Sequence, residues 1–480
     1  MKSLRVLLVF ALCLIALGSM PGSVMAAKFP AYASSVQIQN LSSTSRAMVT
    51  LTFYNGGTGA DAGTVRETIT VKGSDLLDGI PASASVTYAT LPFSDPASFN
   101  GSLVISSDQE IAAISNIAAS SGTARASYIG ATTGSTSVNL PLLQKNNGSR
   151  QWSSWYTVQN VGDTSTTVTA DYTDCVGTSD ATATIPPSAS VTFDQVGEAC
   201  HTSALFGVTL TSSGSQPILA VVIQESSIAN ALLAYTGFST SGNADLKIPL
   251  VNSNNNGWNT GIQILNKGAD TTLTLTYADA TLATTCTETQ SIASGVTKVF
   301  ASAAFASGGV GITTTCQGKK IVGAAYLASP SDNSAGSNLL AVVNQTKATT
   351  SYLGGSYTSF ASINGTPKVV FPLVMDRRGS TQWRTGFNIM NVGSATTWVK
   401  CTFSGSAYTK TQQIDVNKSM NANQQNAIAA NYIGAATCQA YTDATYTTLS
   451  TTAQIVGVAN ESGTGSGDLL LTYEGINTTN

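Results

Sequence analysis

The chain has 480 residues, of which 42% are hydrophobic and only 10% charged, with one histidine and a formal net charge of −3. That apolar content and weak self-repulsion exclude an intrinsically disordered chain. Mild acidity without a basic stripe argues against nucleic acid as a partner, and a single histidine leaves few of the acid, base and metal-ligand groups that catalysis draws on.

At the N-terminus, Lys2 and Arg5 precede an apolar run from Val6 to Leu17, and small residues follow up to Val24-Met25-Ala26. Charge, apolar core and small residues in that order predict a secretory signal peptide, residues 1–26, cleaved after Ala26. The run falls short of the roughly 20 apolar residues that span a bilayer, and no second long apolar stretch follows, so no membrane span is expected. Cys13 follows Leu12, where lipidation asks for a small residue, and it goes with the discarded segment. Losing Lys2 and Arg5 takes the net charge from −3 to −5.

Beyond residue 26 one pattern occurs four times: aromatic, x, Ser/Thr, x, apolar, x, Val/Ile, x, Asn. It runs Tyr32 to Asn40, Trp152 to Asn160, Trp258 to Asn266 and Trp383 to Asn391. An apolar-Pro pair stands upstream each time, at Phe29-Pro30, Leu140-Pro141, Ile248-Pro249 and Phe371-Pro372, and a Tyr-x-Gly closes each unit at Tyr128, Tyr235, Tyr352 and Tyr473. The four Asn residues lie 120, 106 and 125 residues apart, the size of a small domain and too long for a solenoid repeat.

Within each unit the periodicity is that of strands. Val36 and Ile38, Tyr156 and Val158, Ile262 and Ile264, and Phe387 and Ile389 alternate with mostly polar neighbours, the two-residue period of a strand with one buried face. A turn follows, containing Val161-Gly162, Lys267-Gly268 or Val392-Gly393, and then a second alternating run, such as Val49-x-Leu51-x-Phe53 or Leu273-x-Leu275-x-Tyr277; together they predict a β-hairpin. Ser/Thr-rich and apolar runs, among them Ala189 to Phe193 and Ile218 to Ile223, bring each unit to roughly six to eight short strands. The expected fold class is all-β: four tandem antiparallel β-sandwich repeats after the signal peptide, at 27–135, 136–242, 243–364 and 365–480. Boundaries are drawn at Gly/Ser/Thr-rich stretches such as Thr132 to Ser137 and Ser239 to Asn243. In length and strand pattern these units resemble the repeats of secreted, multi-repeat immunoglobulin-like proteins of bacterial cell surfaces. The likeness implies a stalk, coat, fibre or adhesin role and carries no residue-level function.

Six cysteines remain after the signal peptide, and an even number in an exported chain favours disulfides over metal sites. They fall two per unit in units two to four, which predicts Cys175–Cys200, Cys286–Cys316 and Cys401–Cys438. His201, next to Cys200, has no recurring Ser or Asp to complete a triad. Asp171 and Asp174, with Asp279 at a related position, read as turn caps, since calcium asks for six or more converging oxygens. A Lys-Asn cross-link would need a Lys, an Asn and an acid at matching strand positions in several units; Glu225 and Glu461 occupy similar places, but the first and third units lack the acid. Sequons at Asn40, Asn147, Asn344, Asn364, Asn417 and Asn460 arise readily in so Ser/Thr/Asn-rich a chain. No cofactor and no metal are expected.

The sequence therefore points to a non-catalytic extracellular structural or adhesive surface protein, a subunit of a fibre, sheath or coat. Its expected partners are further copies of itself or other surface proteins, met through β-edges or lateral contacts. The alternative is a carbohydrate-binding surface protein whose repeated aromatics, Tyr32, Trp152, Trp258 and Trp383, stack on sugar rings. Against that, a residue recurring in register with core positions more often packs the same way in every copy.

Overall fold

A computed structural model describes residues 6–12, 29, 31–93, 95–121, 123–175, 181–279, 285–301, 320–348, 352–423 and 426–478. The protein is all-β. The strands of the first set are β1 (Val6–Leu12), β2 (Tyr32–Asn40), β3 (Val49–Asn55), β4 (Val65–Thr70), β5 (Ser85–Tyr88), β6 (Gly101–Ser107), β7 (Ile111–Ala119) and β8 (Arg125–Ile129). The second set holds β9 (Ser137–Gln144), β10 (Ser153–Asn160), β11 (Thr166–Tyr172), β12 (Ala181–Ile185), β13 (Ser190–Asp194), β14 (Leu205–Ser212), β15 (Ile218–Ser226) and β16 (Ala231–Thr236). In the third set are β17 (Lys247–Ser253), β18 (Trp258–Asn266), β19 (Thr271–Asp279), β20 (Thr285–Ile292), β21 (Thr297–Ala301), β22 (Ile321–Tyr326), β23 (Leu339–Ala348) and β24 (Tyr352–Thr358). The fourth contains β25 (Lys368–Asp376), β26 (Arg384–Asn391), β27 (Thr397–Phe403), β28 (Thr409–Ile414), β29 (Ser419–Asn423), β30 (Tyr432–Tyr441), β31 (Ile455–Ser462), β32 (Leu470–Glu474) and β33 (Ile476–Thr478).

Each set forms two antiparallel sheets with one connectivity. Their strand orders are β4-β3-β6-β1 with β5-β2-β7-β8, β12-β11-β14-β9 with β13-β10-β15-β16, β20-β19-β22-β17 with β21-β18-β23-β24, and β28-β27-β30-β25-β33 with β29-β26-β31-β32. In the third set the two sheets close on one apolar core, where Leu273 and Leu275 of β19 meet Ile262 and Ile264 of β18 and Val343 of β23. Among the described residues no helix is long and apolar enough to cross a membrane.

The recurring Asn of the sequence pattern is a buried hydrogen-bonding staple. The Asn160 side-chain amide donates to the carbonyls of Thr164 at 2.8 Å and Ile185 at 2.9 Å, and its oxygen accepts from the Gly162 N–H at 2.9 Å. Asn40, Asn266 and Asn391 repeat the arrangement on Ser45 and Ile80, Ala269 and Ile292, and Ala395 and Ile414. All four are buried, and their partners join a turn to a neighbouring strand, so Asn satisfies backbone groups that water does not reach. The sequon at Asn40 is therefore inaccessible for glycosylation.

A second recurring device joins the apolar-Pro pair to a tyrosine. In β9, β17 and β25 the Pro and the following Leu stand opposite a single residue of the paired strand, which makes a β-bulge. Proline brings no N–H to the ladder, and a buried tyrosine caps the bulge. The Tyr235 hydroxyl donates to the Leu142 carbonyl at 2.7 Å, and the Tyr357 and Tyr473 hydroxyls donate likewise to Leu250 and Leu373. This corrects two expectations from the sequence. The capping tyrosine of the third set is Tyr357, five residues beyond Tyr352. Phe29-Pro30 is no counterpart of the other pairs: Phe29 is buried ahead of β2 outside any strand, and Pro30 lies outside the described residues.

The place that β9, β17 and β25 take in their sheets is taken in the first set by β1, residues Val6–Leu12, antiparallel to β6. The predicted signal peptide thus contributes a strand to the first sheet.

The chain divides into two compact units, Met1–Thr240 and Ser241–Asn480. In the first unit, Trp155, Val221, Ile223, Leu232 and Ala234 of the second set join the apolar core of the first. In the second unit, the Gly354 N–H donates to Asp468 at 2.9 Å and the Thr358 hydroxyl to Glu474 at 2.8 Å, which ties β24 to the β32 region.

Candidate functional site

The four aromatics singled out in the sequence do different things. Tyr32 is buried against Trp155, ring centroids 5.4 Å apart and edge to face, and its hydroxyl donates to the Glu225 carboxylate across the seam of the first unit. Burial, reinforced by the Glu225 charge, pushes the Tyr32 hydroxyl far above its ordinary pKa, so it stays a neutral donor. Trp152 and Trp383 stand half-buried at the feet of tight hairpins, their backbones bridged to Asn147 and Arg378. Trp258 lines a cleft.

That cleft lies in the second unit, between β17, β18 and β23 on one side and β26, β29 and β31 on the other, with a volume of about 360 Å³. Its walls are rich in carboxamides. Asn255 donates to Asn252 at 2.9 Å, Asn252 donates to Gln345 at 3.2 Å, Asn460 donates to the same Gln345 oxygen at 3.3 Å, and Thr472 donates to Asn460 at 2.8 Å. Two amide donors on one oxygen fix which end of the Gln345 carboxamide is nitrogen. That nitrogen is buried and has no partner, and the same holds for Nε of Arg384 at the start of β26. Among the described residues no carboxylate pairs with Arg384, and the nearby Lys347 ammonium sits 5.7 Å over the Trp258 ring. The sequence pattern supplied Trp258 but gave no sign of the amides, which come from strands far apart in the chain.

His201 belongs to a packed loop. Its ring stacks on Phe206 at 3.8 Å, with Nδ1 3.0 Å from Asp174 and Nε2 3.2 Å from the Gln195 side-chain oxygen. Burial pulls its pKa down, opposed by the Asp174 carboxylate. Asp174 also accepts from the Thr202 and Ser203 N–H groups, Asp171 points outward, and Asp279 accepts from the Val322 N–H, so these acids do not converge on a cation. Cys175 and Cys200 come close to His201, but their sulfurs are bonded to each other and offer no thiolate to a metal. A second disulfide joins Cys401 and Cys438. Cys286 lies in β20, while Cys316 is outside the described residues. Glu225 and Glu461 hold related positions on β15 and β31, opposite Ser153 and Thr385. Glu461 is fully buried with neither oxygen bonded, and desolvation raises its pKa well above the usual carboxylate value.

No protein family, curated protein or solved structure matches this chain.

Proposed function

We propose that this is an exported, non-catalytic structural or adhesive protein of the cell surface, made of four immunoglobulin-like sandwich repeats after a cleaved signal peptide, which assembles with further copies of itself through a sheet edge. The observation that carries this reading is the pairing of Val6–Leu12 along Gly101–Ser107. The second, third and fourth repeats fill the corresponding place with β9, β17 and β25, strands that lie next to their own hairpins. Only the first repeat borrows residues ahead of the predicted cleavage site. Export with cleavage after Ala26 removes that strand and leaves β6 as an edge, with a row of unpaired N–H and C=O groups and an uncovered margin of core. Such an edge recruits another strand, and the strand at hand in a secreted, weakly charged protein is the same edge of a second copy, antiparallel about a twofold axis.

Two further features support a structural role. The recurring residues are the buried Asn staples of all four sets and the tyrosine bulge caps of the last three, and both hold the fold. The sole histidine, Asp174 and Glu225 are engaged in loop and seam hydrogen bonds, and Glu461 is enclosed. N-terminal sequencing and electron microscopy of the exported protein test the proposal together. Chains starting at Ala27 in ordered assemblies are expected. Dispersed monomers starting at Ala27 overturn the assembly, and chains retaining residues 1–26 overturn the processing on which it depends.

A further inference from the structure

The cleft of the second unit goes beyond a structural role. We propose that it is a binding site for an acidic glycan, an oligosaccharide containing hexuronate units, independent of whether the chain assembles.

The recognition chemistry is on its walls. A sugar presents alternating hydroxyl donors and acceptors, and the carboxamides of the cleft-lining Asn255 and Asn460 offer both, oriented from behind by hydrogen bonds to Asn252, Gln345 and Thr472. Gln345 is fully buried, with its N–H2 unpartnered. Its oxygen accepts from both the Asn252 and Asn460 amides, so Gln345 holds these two side chains in place from behind the cleft wall. Trp258 supplies the flat apolar surface on which the C–H face of a pyranose ring stacks. The volume of about 360 Å³ falls within the range of small-ligand sites.

Charge selects the acidic member of this class. Arg384 lines the cleft, among the described residues no carboxylate pairs with it, and Lys347 adds a second cation over Trp258. The nearest acid on the adjoining strand, Glu461, is enclosed and favours its neutral form. A guanidinium attracts a carboxylate and can match it in two parallel hydrogen bonds, so a hexuronate gains a charged pair with Arg384 that a neutral hexose does not.

The test is isothermal titration of the full chain with defined oligogalacturonate, oligoguluronate and oligoglucuronate trisaccharides, with neutral galactose and glucose trisaccharides alongside. Saturable binding of at least one uronate trisaccharide is expected, with the neutral ones at least about tenfold weaker, the size of one charge-assisted hydrogen bond. Arg384→Gln should abolish the preference for acid, Gln345→Leu and Trp258→Ala should each weaken binding about tenfold, and Trp383→Ala should leave it unchanged. Far-ultraviolet circular dichroism of each variant separates lost binding from lost fold. Absence of binding to every uronate, equal binding of neutral and acidic trisaccharides, or undiminished binding by folded Arg384→Gln overturns the proposal.

Discussion

Replacing Asn160 by alanine should unfold the second strand set far more readily than its single-residue size suggests. Asn160 is fully buried, and its side chain makes three hydrogen bonds of 2.8 to 2.9 Å, to the Thr164 and Ile185 carbonyls and from the Gly162 N–H. Each contributes about 1 kcal/mol net, and groups left buried without a partner add roughly 1–3 kcal/mol. The Ile185 carbonyl is the clearest such group, since its bond to Asn160 is buried, so the loss comes to about 4–6 kcal/mol. Asn160→Asp separates the roles of the two amide ends. It keeps the acceptor for Gly162 but turns a carboxylate toward two carbonyls, so it should be at least as damaging at pH 7 and milder in acid, where the carboxyl protonates and donates. Thr167→Ala, on the exposed side of the neighbouring strand, serves as the control and should change stability by no more than about 0.5 kcal/mol. Hydrogen exchange of the full chain, read on peptides spanning 153–194, measures the effect locally. Protection in Asn160→Ala within about 1 kcal/mol of the parent would show that the repeated Asn is a turn preference and not a staple.

Tyr473→Phe removes only the hydroxyl that caps the Leu373 carbonyl, and urea unfolding of the second unit within the full chain should register a loss of about 1–2 kcal/mol. Glu461 has a folded-state pKa raised above 4.5 by burial, so the folded protein holds a proton that the unfolded chain releases. Stability from this group is complete below the unfolded value and falls as pH rises from about 4.5 toward the folded pKa; Glu461→Gln should flatten that decline in denaturation measured from pH 4 to 9. Replacing both cysteines of the Cys175–Cys200 bridge, separated by 25 residues, should cost about 3–4 kcal/mol by chain entropy, seen as a lower urea midpoint with an unchanged product in non-reducing peptide maps of Cys401–Cys438.

Much of this fold is legible in the sequence because its signals are local. Alternation at Val36 and Ile38 or Ile262 and Ile264 marks residues that are buried, and the Asn that ends each run is conspicuous because no other residue offers both a donor pair and an acceptor on so short an arm. The second face of those strands was less legible. Gln37, Thr157, Gln263 and Asn388 look like solvent-facing positions, yet all are buried, and Gln37 bonds to Ser85 and Thr87. Polarity reports hydrogen bonding there and not exposure. The third tyrosine was misplaced because Tyr352 carries the Tyr-x-Gly wording while Tyr357, followed by Thr and Ser, makes the contact to Leu250. The cleft was hidden for a different reason. Asn252, Gln345 and Asn460 meet only through tertiary packing, and no spacing rule links positions so far apart. Likewise a signal-peptide pattern explains Val6 to Leu17 so completely on its own terms that its match to a missing sheet strand emerges only when the four sets are laid side by side.

The most direct test of the account is the association state of the chain beginning at Ala27, compared with a variant in which residues 137–151, the strand and turn that open the second strand set, are grafted ahead of Tyr32 to refill the place of β1. Light scattering after size-exclusion chromatography should show the Ala27 chain as a dimer or larger and the grafted chain as a monomer, with the amides of Gly101–Ser107 protected from exchange in both. A monomeric Ala27 chain with those amides equally protected, or a graft that associates as strongly as its parent, would contradict the claim that an open β6 edge brings copies together.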